Sequence, residues 1–231
     1  MSILVEVTAQ GAMAPPAAGE NRFFLPGVGW QGYETLLKLI GNRAIRVTYS
    51  QGDVELMSPL LEHERNRSIF AQMIVILTDE LEIPRLSAGA TTLKREDLDR
   101  GLEADEAFYF RDLRRIKSVQ DFSLESDPPP DLAVEIEITR SALNRLGIYG
   151  TLGVPEIWRY DGRTLRFLAR QSDGSYAEIL NSKALPWISA EELRGQLPAG
   201  EQLDETAWAR GFRRWVRETV VPRASGHAEG I

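Results

Sequence analysis

Apolar residues in QGYETLLKLI, residues 31–40, recur at helical spacing and stop at Gly41-Asn42, which predicts a helix with a defined end. Two β-rich runs, AIRVTYS and VELMS, flank a QGD turn and predict a hairpin. Ser58-Pro59 offers an N-cap and a first-turn proline for a helix over 62–81. Ile69, Met73, Ile76, Leu77 and Leu81 stripe that helix, and Pro84 ends it. Three β candidates follow, at 85–93, 103–110 and 131–138. A helix over 141–152, weakened by Gly147 and Gly150, leads into the strand of GVPEIWRYDG. TLRFLAR and SYAEIL then continue as antiparallel strands across Asp173-Gly174. In DETAWARGFRRWVRETV, Trp208, Phe212, Trp215 and Val216 share one helical face, and PRASGHAEGI reads as a frayed end. This order predicts a mixed α/β fold.

The strand at 131–138 poses a chemical question. Leu132, Val134, Ile136 and Ile138 alternate with Asp131, Ala133, Glu135 and Glu137. Side chains two apart on a strand lie ~6 to 7 Å apart, and like charges that close raise each other's pKa unless a positive group sits among them. Such a face is either the solvated side of an antiparallel strand or the wall of a cation site. GLEADEAFYF supplies a second acidic strand, with Glu103, Asp105 and Ala107 on one face. If the two strands pair, Asp105 and Glu135 share a face at adjacent strand ends. Two carboxylates plus water suit magnesium, which orients a phosphate and acidifies an attacking water. A solvated strand end is the alternative for Glu103, Asp105 and Glu106.

Composition narrows the chemistry. The 231 residues are 43% hydrophobic and 26% charged, enough for a core and unlike a largely disordered chain. There is no cysteine, so disulfides and thiolate metal sites are excluded. With His63 and His227 the two histidines, a metal site must rest on oxygens, which favours magnesium, manganese or calcium over zinc. No apolar run reaches the ~18 residues of a membrane span, and no basic region precedes the apolar start. The expectation is a soluble, cytoplasmic protein. A net charge of −7 counts against a broad basic surface for nonspecific nucleic-acid binding but leaves a local groove open. The chain divides into a flexible segment 1–23, a domain 24–200, and a C-terminal helix and tail 201–231.

GLEADEAFYF, DLAVEIEIT and LNRLGIYGTLGVPEIWRYDG together resemble the Uma-two type family of restriction-endonuclease-like domains over about residues 31–193. GVPEIWRYDG is the most specific part. The resemblance implies the PD-(D/E)XK nuclease superfamily, with a central mixed β-sheet flanked by helices and a core of helix, three strands, helix, strand. It implies hydrolysis of DNA phosphodiester bonds with magnesium or manganese. Asp105 falls where the family has the aspartate of Pro-Asp and, with Glu135, becomes a metal ligand. Glu62 and His63 fall on the family's first core helix, where an acid or histidine can approach the metal. The superfamily's lysine two residues after Glu135 is replaced here by Glu137. The resemblance moves the positive group to the next helix, onto Arg145, four residues before Tyr149. Arginine clamps a phosphate but is too basic to deprotonate water, which leaves Glu137 as third ligand or water-orienting base. A homodimer suits the cutting of two strands. Two other readings stay open: a catalytically impaired module that binds nucleic acid or protein on the same fold, and an interaction protein that assembles through an exposed aromatic C-terminal helix.

Overall fold

The computed structural model describes residues 20–111, 113–116, 118, 120–198 and 204–228; most of the expected flexible segment, residues 1–19, lies outside them. The chain runs β1 (Asn21–Leu25), α1 (Gly29–Ile40), β2 (Arg46–Ser50), β3 (Asp53–Ser58) and α2 (Leu61–Glu80). Four short strands follow: β4 (Leu86–Ser87), β5 (Thr92–Arg95), β6 (Arg100–Glu103) and β7 (Glu106–Tyr109). Then come β8 (Leu132–Ile136), α3 (Arg145–Leu152), β9 (Glu156–Tyr160), β10 (Leu165–Arg170), β11 (Tyr176–Ile179) and α4 (Ala190–Gly195). Helix α5 (Glu205–Trp215) passes through a π-helical turn at Val216–Val220 into α6 (Val221–Ala228).

Two sheets result. One is five-stranded and antiparallel, ordered β1-β3-β2-β6-β5; the other is six-stranded and mixed, ordered β11-β10-β9-β8-β7-β4, with β8 and β9 parallel across the α3 crossover. The fold is restriction-endonuclease-like, a mixed central sheet flanked by helices. Strand β8 is buried on both faces. Leu132, Val134 and Ile136 pack with Ile69, Phe70, Met73 and Leu77 of α2, while Ala133 packs with Ile148, Tyr149 and Leu152 of α3. Helix α1 covers the five-stranded sheet, where Tyr33 stacks on Tyr49 with ring centroids 4.8 Å apart. These layers leave little of the acidic face of β8 wet: Glu135 is 5% exposed.

Several boundaries differ from the sequence pattern for physical reasons. The strand expected over 103–110 is two strands in different sheets, broken at Ala104-Asp105. There the Asp105 carboxylate, rather than a backbone carbonyl, accepts the Ile136 N–H at 2.7 Å, and the ladder of β7 with β8 ends. Glu103 and Asp105 therefore do not share one strand face. Asp131 is also removed from any acidic cluster, because its carboxylate accepts the N–H groups of Phe110 and Arg111 at 2.8 and 3.0 Å. Ser58 ends β3 instead of capping a helix, and α2 begins at Leu61 without a side-chain cap.

The first and last described elements are tied in. Residues expected to be part of a loose lead-in form β1, a five-pair antiparallel ladder with β3. The aromatic face of α5 is not exposed: Trp208, Phe212 and Val216 join the α2 core, and helix continues where fraying was expected, to Ala228. Arg213 and Arg217 fasten this helix to Glu80 at the end of α2, at 2.5 and 2.6 Å.

Candidate functional site

The site lies where the chain passes from one sheet to the other. Extending the β7–β8 register, which pairs Glu106 with Val134, by one residue sets Asp105 opposite Glu135. Glu135 is held by α3. Arg145 Nε and Nη2 both donate to its carboxylate, the latter at 2.8 Å, and the Tyr149 hydroxyl donates to Oε2 at 2.8 Å. Asn144 caps α3 by accepting the Gly147 N–H at 3.0 Å, which places Arg145 and Tyr149 one turn apart on the face toward β8. Arg145 also reaches the other sheet, donating through Nη1 to Thr48 Oγ1 of β2 at 2.5 Å and through Nη2 to the Glu103 carbonyl of β6 at 2.8 Å. One guanidinium thus staples both sheets. Burial pushes the Glu135 carboxyl up and Arg145 opposes it; Arg145 itself stays protonated beside that carboxylate.

Asp105 is 2% exposed and held differently. Its Oδ1 lies 2.8 Å from His63 Nε2, and His63 Nδ1 lies 2.5 Å from Glu20 Oε1. Burial opposes charge on the fully buried His63, but hydrogen bonds to Asp105 and Glu20 outweigh it and raise the imidazole to about 9. Burial likewise opposes charge on Glu20, and His63, Thr139 and Arg22 bring it down to about 2. Asp105 is lowered for the same reason: bonds from His63 and Ile136 overcome its burial. Glu62, the neighbour of His63, is exposed. Arg46 Nε is buried 4.0 Å from Asp105 Oδ1 and has no hydrogen-bond partner among the described residues.

A pocket of about 300 Å³ opens beside these groups, lined by Glu135, Glu137, Arg140, Ser141, Arg145 and Arg159 together with the residues between 141 and 146. Glu137 is paired with Arg159 of β9, whose Nε donates to it at 2.6 Å. Asp105 is not among the lining residues. The sequence pattern missed Thr48, Glu20, Arg22, Glu55, Arg46 and Arg159. Of these, Arg159 carried a signal in its place beside the aromatic pair of GVPEIWRYDG.

The donor set can be tested against a divalent ion. A carboxylate offers about four lone-pair positions. Two are taken on Asp105, by His63 and Ile136 N–H, and three on Glu135, by Arg145 twice and Tyr149. Each acid keeps room for a further partner. No group of three or more His, Asp or Glu side chains able to hold a metal occurs among the described residues. An all-protein cage is therefore not offered; what the two acids retain is spare lone-pair capacity, two positions on Asp105 and one on Glu135. No helix among the described residues is long and apolar enough to cross a membrane.

No curated protein matches this chain. A family model does, over residues 30–198, under the description "Putative restriction endonuclease". That span covers most of the chain, including Asp105, Glu135, Arg145 and both sheets apart from β1, and the chain belongs to this Uma2 family.

Proposed function

We propose that the chain is a magnesium- or manganese-dependent endonuclease that hydrolyses phosphodiester bonds of DNA. The observation that carries this reading is that the Asp105 carboxylate accepts the N–H of Ile136, the residue after Glu135, while Glu135 and Arg145 line a pocket that also holds Arg140 and Arg159. Asp105 and Glu135 would hold the ion. When bound, such an ion supplies Lewis-acid stabilisation of charge at the phosphate oxygens. The rest is work for the protein's own groups. Arg145 uses four of its five N–H donors on Glu135, Thr48 and Glu103, which leaves one on Nη1 for a phosphate oxygen. Arg140 is exposed at the pocket and Arg159 lines its wall, both able to receive the polyanion. Glu137 orients the water that attacks phosphorus; one P–O ester bond breaks, giving an alcohol and a phosphate monoester.

The test is cleavage of supercoiled plasmid and circular single-stranded DNA with magnesium or manganese. Cleavage that Asp105→Ala and Glu135→Ala abolish supports the reading, and its absence with the wild-type protein sinks it. A second reading, a module that binds DNA without cutting, is favoured by one observation: Arg145 already neutralises Glu135 in a two-point contact. DNA retention without cleavage, unchanged by Glu135→Gln, would select it. For the nuclease, two copies related by a two-fold axis would serve both strands of a duplex, which the molar mass in solution tests.

A further inference from the structure

Glu20 and Arg22 lie ahead of residues 30–198, the span matched by the family model, yet both reach the candidate site. The Glu20 side chain is fully buried. One of its oxygens meets His63 Nδ1 at 2.5 Å, and His63 Nε2 meets Asp105 Oδ1 at 2.8 Å. The other oxygen accepts from Arg22 Nη2 at 2.9 Å and from the Thr139 hydroxyl. Arg22 forms the second arm. Its Nε donates to Thr139 Oγ1 at 2.9 Å and its Nη1 to Glu55 Oε1 at 2.7 Å. Glu55 in turn accepts from Ser141 Oγ at 2.8 Å and from Ala142 N–H at 2.6 Å, and both of those residues line the pocket.

The physical consequence is orientation. An imidazole held at both nitrogens cannot flip or tilt without losing a charge-assisted bond, and it holds Asp105 in one rotamer. The loop between β8 and α3 has no regular structure of its own and is instead fastened at Thr139, Ser141 and Ala142. These side chains are not needed to attach β1, because its five-pair ladder with β3 does that.

We propose that Glu20 and Arg22 are positioning residues for the phosphodiesterase site, Glu20 setting Asp105 through His63 and Arg22 setting the pocket rim through Thr139 and Glu55. This rests on the nuclease reading of Asp105 and the pocket. A site completed from outside the family-matched span means that a chain trimmed to that span keeps the acids and loses their alignment.

The experiment compares wild-type full chain with Glu20→Gln, Arg22→Gln and, as a control on the same strand, Phe23→Ser at a position 62% exposed. The readouts are kcat and KM for metal-dependent cleavage of a duplex fragment, urea unfolding, and the imidazole N–H signals of His63 by NMR in a His227→Gln background. The expected result for Glu20→Gln is a kcat at least tenfold lower with KM within twofold, and loss of the slowly exchanging His63 N–H signal. Arg22→Gln is expected to raise KM at least fivefold, and Phe23→Ser to leave both constants within twofold. Unchanged kcat in Glu20→Gln despite a lost His63 signal overturns the proposal while the nuclease reading stands. So does a fall in activity that only matches the loss of folded protein in urea. Absence of cleavage by the wild type overturns the nuclease reading itself, and the proposal with it.

Discussion

Replacing Arg145 with leucine is expected to destabilise the protein by about 3–5 kcal/mol, the range for removing one partner of a buried ion pair. The structure accounts for the size. The Arg145 and Glu135 side chains are 10% and 6% exposed, so the pair is largely shielded from water. Leucine removes both bonds to Glu135 and the bonds to Thr48 Oγ1 and the Glu103 carbonyl, the staple between the two sheets. Tyr149 alone would remain on Glu135. The direction with pH follows from the same geometry. Burial already favours the protonated form of Glu135, and without Arg145 the Tyr149 hydrogen bond is a weaker counter to that bias. A folded-state carboxyl raised above its unfolded value binds its proton at higher pH than the unfolded chain does, so the variant regains stability as pH falls. Urea unfolding of wild type, Arg145→Leu, Glu135→Leu and the double variant measures this as a cycle. The double variant should be more stable than Arg145→Leu, because no uncompensated charge stays buried. The reasoning is refuted if Arg145→Leu falls within about 1 kcal/mol of wild type, or if the second substitution recovers nothing.

Gly150→Ala should cost about 1–3 kcal/mol, since a Cβ there would sit 2.0 Å from the Gly174 carbonyl oxygen and backbone must move; Gly195→Ala, with nothing within 4 Å, is the matched control in a thermal melt. Trp208→Ala should cost about 3–5 kcal/mol in urea, because the ring is 8% exposed and stacks on Phe212 at 5.8 Å, and its Nε1 donates to the Gln196 carbonyl at 2.8 Å. The His63 imidazole is raised from 6.5 to about 9, so its stabilisation is complete below pH 6.5 and lost as pH rises through 9. That is worth about 3 kcal/mol, and it should disappear from the pH dependence of unfolding in His63→Gln; parallel curves for the two proteins would refute it. Glu20, lowered from 4.5 to about 2, acts at the other end: its stabilisation is present above pH 4.5 and lost as pH falls toward 2, which Glu20→Gln should abolish in acid unfolding.

Local pattern carried the regular elements well, because their apolar spacing and turn residues are local properties. Helix α1 begins two residues before its expected start and α2 one residue before, and the β2–β3 hairpin and the three strands after α3 fall where alternation put them. What failed were the strand expected over 85–93, which is β4 and β5 in different sheets, and the interior of GLEADEAFYF, whose break comes from a partner 31 residues away, the Ile136 N–H taken by Asp105. The site divides in the same way. Glu135 and Arg145 are ten residues apart on a strand and the following helix; alternation brought the first to notice and the family resemblance the second. Glu20 and Thr139 are 119 residues apart, and Glu20 sat in a stretch that read as a loose lead-in. Thr48 and Glu55 sat in a hairpin whose alternation says only that some positions face inward. No local pattern marks a residue whose role is to reach a distant loop.

The charge layout also resolves a tension in the composition. A chain of net charge −7 repels a polyanion at long range, yet physiological salt screens such fields over about 8 Å, so the groups within one Debye length of a docked phosphate would decide its fate. The charged residues that line the pocket are Arg140, Arg145 and Arg159 against Glu135 and Glu137, a lining with one more cation than anions on an acidic protein. Both the cutting and the binding readings need that lining, so evidence of DNA retention alone does not separate them. They part at Asp105 and Glu135. If the spare lone pairs of those two acids take a divalent ion, the built-in guanidinium is an aid to phosphate binding. If they do not, Arg145 has itself become the cation of the site, and the sheets it joins are what it serves.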